Sequence, residues 1–322
     1  MVATRDRVET VVAQHPFARL VEVGNRQHSM IEREHQGTIL ARGTYARMMT
    51  RWFGSTRVPW MIAVITTGIV VLWPMPSTFA QLTGVAEPTL FLRGVEFPTN
   101  MAFAPDGSLF YTEKETGRVR IVRPGGRPVP APFVTLPVIP DAERGLLGIA
   151  LDPDFPRQPW VYLYDSNATT GMNELIRIRD DHGVAGERQV LLVGLPASSG
   201  YHNGGDLAFG LDGTLFASIG EVHESDRAQD VGDLGGKIVR LNPDGSVPAD
   251  DPFGASNPVW SYGHRNSFGL CVDPTTGDLW ETENGPDVDD EVNLIRAGAN
   301  YGWPMVTGKA GESLEGLPSS GR

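Results

Sequence analysis

The chain has 322 residues, of which 40% are hydrophobic and 20% are charged, a composition typical of a globular protein. Its formal net charge of −12 argues against nucleic acid as a partner, and its single cysteine excludes an internal disulfide framework. The 38 glycines and 25 prolines favour many short strands joined by turns over long helices.

The charge is unevenly distributed along the chain. Residues 1–80 carry 9 basic and 5 acidic side chains, whereas residues 81–322 carry 18 and 34. Residues 1–47 are arginine-rich, contain no lysine and show no clear amphipathic period, so we interpret them as an unassigned N-terminal extension. Met48 and Met49 are an alternative start, because a segment of ordinary signal-peptide length begins there.

An uncharged apolar run of 16 residues occupies positions 58–73, with Arg51 and Arg57 before it and small residues up to Ala80 after it. This order predicts a secretory signal peptide over residues 48–80 that is cleaved after Ala80. An N-terminal membrane anchor and a buried core segment are the alternatives, although the run is slightly short for a membrane span. We therefore expect an exported protein, periplasmic or extracellular, with a membrane contact only if the run is retained.

From residue 81 onward the sequence repeats one phrase of strand, turn and strand, as in "FAPDGSLFYTEKETGRVRIV" and "FGLDGTLFASIGE". The turn aspartates Asp106, Asp154, Asp212 and Asp273 lie 48, 58 and 61 residues apart. Repeats of this size, each holding about four short strands, are typical of a β-propeller. A β-sandwich with chance Asp-Gly hairpins is the alternative, but recurrence of the whole phrase favours the propeller.

Polar residues beside glycine or proline occur at several predicted strand ends, in residues 143–148, 198–213, 262–270 and 283–291. The loops of a propeller converge on its central channel, so these distant segments can meet there. His202 has a reference pKa close to neutral pH, which suits a general base. The glycines that follow it would let a large flat ligand approach closely.

Each of these stretches also has a purely structural interpretation. His202 is either a base or a hydrogen-bonded histidine at the rim of the channel. Arg265 and Asn266 either hold an anionic ligand through forked hydrogen bonds or belong to an inter-blade salt bridge. Gly285 and Pro286 either offer carbonyl oxygens to Ca²⁺ or form a plain turn.

Six motifs occur in a fixed order over residues 143–304: ERGLLGIALDPDF, HNGGDLAFGLDGTLF, AQDVGDLGGKIVRLNPDG, YGHRNSFGL, ENGPDVDDEVNLI and NYGWP. Together they resemble the glucose/sorbosone dehydrogenase family, which includes the soluble PQQ-dependent aldose sugar dehydrogenases. The likeness extends from about residue 88 to residue 304. It implies an all-β fold, a six-bladed β-propeller that binds pyrroloquinoline quinone (PQQ) and Ca²⁺ over its channel.

The resemblance also implies roles for individual residues. His202 matches the base that takes the proton of a sugar's anomeric hydroxyl while hydride passes to the quinone, and Glu221 matches its carboxylate neighbour. Arg265 and Asn266 match the pair that contacts the quinone, with Arg265 stabilising negative charge as hydride arrives. Glu143 falls near a polar cofactor contact of the family.

The implied metal ligands are the carbonyl oxygens of Gly285 and Pro286, which would hold a Ca²⁺ ion that polarises the quinone as a Lewis acid. The implied substrate is an aldose sugar, oxidised to its lactone, and the electrons would pass to an external acceptor. A non-catalytic binding propeller of the same family and a Ca²⁺-dependent propeller lactonase are the alternative functions.

Two departures from the family pattern bear on these expectations. Glu221 stands where the family usually has aspartate, and the longer arm could displace the base by about an ångström, a shift that can cost about 100-fold in rate. The propeller domain is expected over residues 81–304, with a polar tail at 305–322 in place of further blades. We therefore expect about four to five blades, an incomplete version of the six-bladed ring.

Overall fold

The computed structural model describes the backbone of residues 7–14, 17–24 and 89–308, with side chains from residue 90 onward. The expected signal or anchor segment at 48–80 lies outside these ranges, so export stays a prediction. No helix within the described ranges is long and apolar enough to cross a membrane.

An N-terminal sheet contains three strands, β1 (Arg7–Gln14), β2 (Phe17–Gly24) and β3 (Thr89–Glu96). The first two pair antiparallel along their full length. Two strands therefore lie within residues 1–47, the extension to which the sequence assigned no role. Most of the polar tail at 305–322 lies outside the described residues.

Four antiparallel sheets follow along the chain, each made of consecutive strands, and we term them blades 1 to 4. Blade 1 contains β4 (Pro98–Phe103), β5 (Leu109–Glu113), β6 (Arg118–Arg123), β7 (Arg127–Pro128) and β8 (Val134–Thr135). Blade 2 contains β9 (Leu146–Leu151), β10 (Trp160–Ser166), β11 (Asn173–Asp180) and β12 (Ala185–Leu195). Blade 3 contains β13 (Leu207–Phe209), β14 (Leu215–Ile219), β15 (Lys237–Leu241) and β16 (Val259–Tyr262). Blade 4 contains β17 (Ser267–Val272), β18 (Leu279–Glu283) and β19 (Glu291–Ile295).

The described part of the propeller is all-β apart from one short 3₁₀ helix at Ser225–Gln229. This confirms the predicted fold class, with four blades where four to five were expected.

The repeated aspartate turns occupy the same place in successive blades, between the first and second strands. Asp106, Asp212 and Asp273 each accept a hydrogen bond from the backbone N–H two residues later, at 2.8, 3.0 and 2.7 Å. In blade 2 the corresponding turn uses Asp152, whose carboxylate accepts the N–H of Asp154 at 2.9 Å. An aspartate that bonds its own backbone in this way stabilises a tight turn, which explains why the phrase recurs.

Apolar clusters fill the spaces between successive blades. One cluster joins blades 1 and 2, a second joins blades 2 and 3, and a third joins blades 3 and 4. Buried members of the three clusters are, in order, Ile121 and Leu163, Tyr164 and Leu215, and Ile238 and Leu279. Burial of apolar surface between neighbouring sheets stabilises the fold. The same clusters hold the first strands of neighbouring blades side by side.

Asp206 shows how closely the first strands approach one another. It lies directly before β13, and its carboxylate accepts hydrogen bonds from Asn100 Nδ2 of β4 at 2.5 Å and from the Leu270 N–H of β17 at 2.6 Å. Burial raises the pKa of this carboxyl above its usual value. One side chain thus connects blades 1, 3 and 4, and the chain segments that enter these strands converge.

Candidate functional site

The predicted site residues lie in the links that lead from one blade to the first strand of the next. Glu143 precedes β9 in the link from blade 1 to blade 2, and His202 lies in the link from blade 2 to blade 3. Arg265 and Asn266 lie in the link from blade 3 to blade 4, and Glu221 follows β14. Because these links are equivalent in each blade, they meet at one end of the propeller.

His202 and Glu221 form a buried pair. The Nδ1 atom of His202 lies 2.7 Å from Oε1 of Glu221, and the two residues are 5% and 1% exposed. A carboxylate only accepts hydrogen bonds, so Nδ1 carries the proton and Nε2 is the nitrogen that can take one from a ligand. The longer arm of Glu221 therefore still reaches the imidazole, despite the displacement that the sequence led us to expect.

Glu143 connects His202 to the link between blades 3 and 4. Its Oε2 atom accepts the backbone N–H of His202 at 2.6 Å and the side-chain amide of Asn266 at 3.3 Å. The amide oxygen of Asn266 in turn accepts the N–H of Gly204 at 3.0 Å. The structure thus brings Glu143, His202, Glu221 and Asn266 into one hydrogen-bonded cluster, and their roles stay predictions.

The glycines beside His202 serve contacts within the protein. A Cβ atom on Gly204, whose φ is +64°, would lie 2.7 Å from the backbone N of Gly220. A Cβ atom on Gly220 would lie 2.0 Å from the carbonyl oxygen of His202. The two backbone segments can pack this closely only without side chains, so the glycines hold His202 against Glu221. That the glycines also let a flat ligand approach stays a prediction.

Arg265 lines a pocket beside this site, together with Glu283, Asn284, Gly285, Tyr301 and Trp303 among others. Its Nη1 atom donates to the carbonyl of Asn284 at 3.1 Å, and its guanidinium lies 5.4 Å from the centre of the Trp303 ring. The buried Nε of Arg265 and the buried Nε1 of Trp303 have no hydrogen-bond partner among the described residues. Two unpaired donors, one of them cationic, suit a ligand that carries anionic oxygens.

Gly285 and Pro286 differ in their relation to this pocket. Gly285 is half-buried and lines it, whereas Pro286 is exposed and is not among its lining residues. The N–H of Gly285 donates to Asp290 Oδ1 at 3.1 Å, and a Cβ atom here would lie 1.9 Å from the carbonyl oxygen of Val288. The tight loop therefore requires glycine at position 285 and places acidic side chains nearby.

Sequence reasoning missed a cluster of His264, Glu281 and Glu283, of which Glu283 also lines the pocket. His264 Nδ1 lies 3.1 Å from Glu283 Oε2 and 3.4 Å from Glu281 Oε1, and its Nε2 lies 2.9 Å from Ser261 Oγ. These are metal-ligating residue types, but the carboxylates outweigh the effect of burial and raise the pKa of His264 to about 9. The cluster also supports Arg265, because Glu283 Oε1 accepts the Arg265 N–H at 2.5 Å. Its signal was the pair of glutamates two residues apart, which share one face of a strand.

A second missed residue is His223, which lies two positions after Glu221. Its Nε2 atom lies 3.1 Å from Nε2 of His202, and its ring stacks on Tyr201 with the centres 5.5 Å apart. His223 and Val222 both adopt positive φ. The sequence does not predict the turn that they form.

Comparisons with known proteins match the chain to one family and to several relatives. A profile of the family described as glucose/sorbosone dehydrogenase matches residues 95–318. An aldose sugar dehydrogenase of Escherichia coli K12 is 35% identical over 248 residues, which cover 73% of this chain and 64% of the relative. Quinoprotein glucose dehydrogenase B of Acinetobacter calcoaceticus is 32% identical over 272 residues, which cover 74% of this chain and 56% of the relative. The PQQ-bound form of aldose sugar dehydrogenase from Streptomyces coelicolor superposes with a TM-score of 0.64 and 38% identity, over 70% of this chain and 66% of that one. The chain spans less than two thirds of the length of these curated relatives.

Proposed function

Because the chain belongs to the glucose/sorbosone dehydrogenase family, we propose that it oxidises an aldose sugar at the anomeric carbon to the lactone. The proposed reaction uses PQQ and Ca²⁺ and passes electrons to an external acceptor. The observation that carries the proposal is the 2.7 Å contact between His202 Nδ1 and Glu221, which makes Nε2 the available base. The names of two relatives, one a quinoprotein and one a PQQ-bound enzyme, support the choice of cofactor.

In this mechanism His202 removes the proton of the anomeric hydroxyl through Nε2. The developing imidazolium is stabilised by the buried carboxylate of Glu221, which also holds the ring in its Nδ1–H tautomer. Glu143 fixes the backbone of His202 and orients Asn266, so the base and the amide keep one relative position. Bound PQQ would supply a hydride acceptor for the C1–H bond of the sugar.

The residues present fit a quinone that carries carboxylates. Arg265 would pair with an anionic oxygen through its unpartnered Nε, and Trp303 would donate from its unpartnered Nε1. The carbonyl oxygens of Gly285 and Pro286 would hold Ca²⁺, a hard cation that prefers oxygen ligands. The acidic loop that follows, with Asp287, Asp289 and Asp290, adds negative charge near this position.

Ligand-induced stabilisation tests the cofactor part of this proposal. PQQ with Ca²⁺ at about 100 times its Kd should stabilise the protein by about 2.7 kcal/mol, a rise in melting temperature of roughly 5–10 °C. Chelation of Ca²⁺ should remove much of this rise, and Arg265→Ala should reduce it because the guanidinium is lost. Arg157→Ala is the matched control, since the side chain of Arg157 is 82% exposed and pairs with the neighbouring Asp154. The absence of any shift would favour the non-catalytic binding propeller instead.

Dye reduction with aldose sugars tests the catalytic part. His202→Asn should keep PQQ binding and lower turnover by about 10²- to 10⁴-fold, because only the base is removed. Asparagine is the suitable replacement, since His202 has a φ of +58° and asparagine tolerates that region. Full turnover in this variant would show that His202 is not the base.

A further inference from the structure

His223 lies between the proposed base and solvent. It is exposed on the turn after β14, whereas His202 is only 5% exposed. Their Nε2 atoms lie 3.1 Å apart, within hydrogen-bond distance, and their ring centres are 4.0 Å apart at an interplanar angle of 75°. The nitrogen that the mechanism uses as a base therefore has an exposed imidazole as its neighbour.

The contacts of Nδ1 in the two rings indicate which nitrogen of each ring faces the other. Nδ1 of His202 donates to Glu221, so a proton gained by His202 resides on Nε2. Nδ1 of His223 lies 3.2 Å from Ser199 Oγ, and a hydroxyl oxygen can accept its proton. In that tautomer the Nε2 atom of His223 carries a lone pair, so its 3.1 Å contact becomes a hydrogen bond once His202 Nε2 holds the proton taken from the sugar.

We propose that His223 is a proton-relay residue that carries the proton from His202 to solvent. The inference rests on the proposed function, because it assumes that His202 is the base. The hydroxyl O–H bond of the sugar breaks and its proton forms an N–H bond at His202 Nε2. When the product leaves, that proton passes to Nε2 of His223, and the resulting imidazolium releases one proton to water or buffer. Both imidazoles return to their neutral forms, and no electrons move in this step.

The surroundings of His223 support a relay that operates at every turnover. The stack on Tyr201, at an interplanar angle of 25°, and the Ser199 contact both restrain the ring. The exposed position lets buffer bases reach the His223 ring, whereas His202 and Glu221 are only 5% and 1% exposed, so a proton on His202 lies out of reach of buffer. A relay removes that proton without requiring His202 to leave its carboxylate.

Chemical rescue distinguishes a relay from a structural role. In the full chain loaded with PQQ and Ca²⁺, His223→Asn should lower turnover about 10-fold in dilute buffer. Added imidazole should restore turnover to within about 2-fold, because a small base can replace the missing ring. His182→Asn is the matched control: His182 is also exposed, has a φ of +59° against +60° for His223, and lies on the β11–β12 turn. The control should change neither turnover nor its response to imidazole.

A second measurement needs no cofactor. At fixed pH, the ¹⁵N resonance of His202 Nε2 should move in His223→Asn and stay in place in His182→Asn. A stationary resonance, an unchanged turnover, or a loss that imidazole does not restore would overturn the relay. These results differ from a failure of the proposed function, in which PQQ does not bind or turnover does not depend on His202.

Discussion

Asp165 allows a quantitative test of how burial shapes the stability of this propeller. It lies on β10, is fully buried, and faces Glu174 of β11 across the pair of strands. Neither oxygen of its carboxylate has a hydrogen-bond partner among the described residues. Burial and the neighbouring Glu174 raise the pKa of Asp165 from 3.8 to about 7, against the opposing charge of Arg188.

The sign and size of the effect follow from this shift. Because the pKa in the folded state is raised, the folded protein holds a proton that the unfolded chain releases near pH 4. The contribution of Asp165 to the free energy of unfolding is therefore lost as the pH rises from about 4 to about 7. At about 1.4 kcal/mol per pKa unit, the carboxylate destabilises the folded state by about 4 kcal/mol above pH 7.

Asp165→Asn removes this titration and keeps the shape of the side chain. We expect its free energy of unfolding to rise relative to the parent protein by about 3–4 kcal/mol between pH 4 and pH 8, measured by urea unfolding at several pH values. At pH 8 this corresponds to an increase in melting temperature on the order of 10 °C. Asp181→Asn is the control, since the side chain of Asp181 is 52% exposed. Parallel pH profiles for Asp165→Asn and the parent would refute the reasoning.

Three further substitutions probe the site. Glu221→Asp should lower turnover about 100-fold, because the shorter arm withdraws the carboxylate from the 2.7 Å contact with His202; equal turnover in a dye-reduction assay would contradict this. Gly220→Ala should destabilise the protein by about 1–3 kcal/mol in urea unfolding, because the added Cβ would lie 2.0 Å from the His202 carbonyl; an unchanged midpoint would be inconsistent with the packing. The pKa of His264 is raised to about 9, because its carboxylate neighbours outweigh burial, so its contribution to stability is full below about pH 6.5 and lost as the pH rises through 9. His264→Gln should flatten that alkaline decline, and an equally steep decline in the variant would argue against the charged cluster.

The propeller was predictable from local chemistry. Each turn is closed by an aspartate that accepts the backbone N–H two residues later, as at Asp106, Asp212 and Asp273. The aspartate alone therefore predicts the turn. The pairing of His202 with Glu221 came only from the family resemblance, because nineteen residues separate them and blade 3 brings them together. Composition and spacing alone left His202 as either a base or a rim histidine.

Sequence motifs do not predict the backbone conformations on which the missed contacts depend. His223 reaches His202 because Val222 and His223 both adopt positive φ, a region that β-branched residues such as valine rarely enter. His264 meets Glu281 and Glu283 through the link between blades 3 and 4, whereas the local pattern predicts only that the two glutamates share one face of β18. The two glycines after His202 also serve packing, Gly204 against the backbone of Gly220 and Gly205 against the Leu147 side chain.

The geometry of the base is a property of the interfaces between blades. His202 enters from the link between blades 2 and 3, Glu143 from the link between blades 1 and 2, and Asn266 from the link between blades 3 and 4. Each residue is held by a hydrogen bond to a different link: Glu143 to the His202 N–H at 2.6 Å, and Asn266 to the Gly204 N–H at 3.0 Å. The relative position of base and amide is therefore set by the apolar clusters that hold neighbouring blades together, and not by any single loop. A shift of one blade by an ångström would separate His202 from Glu143 while leaving each blade intact, so the proposed catalysis would depend more strongly than folding on the packing between blades.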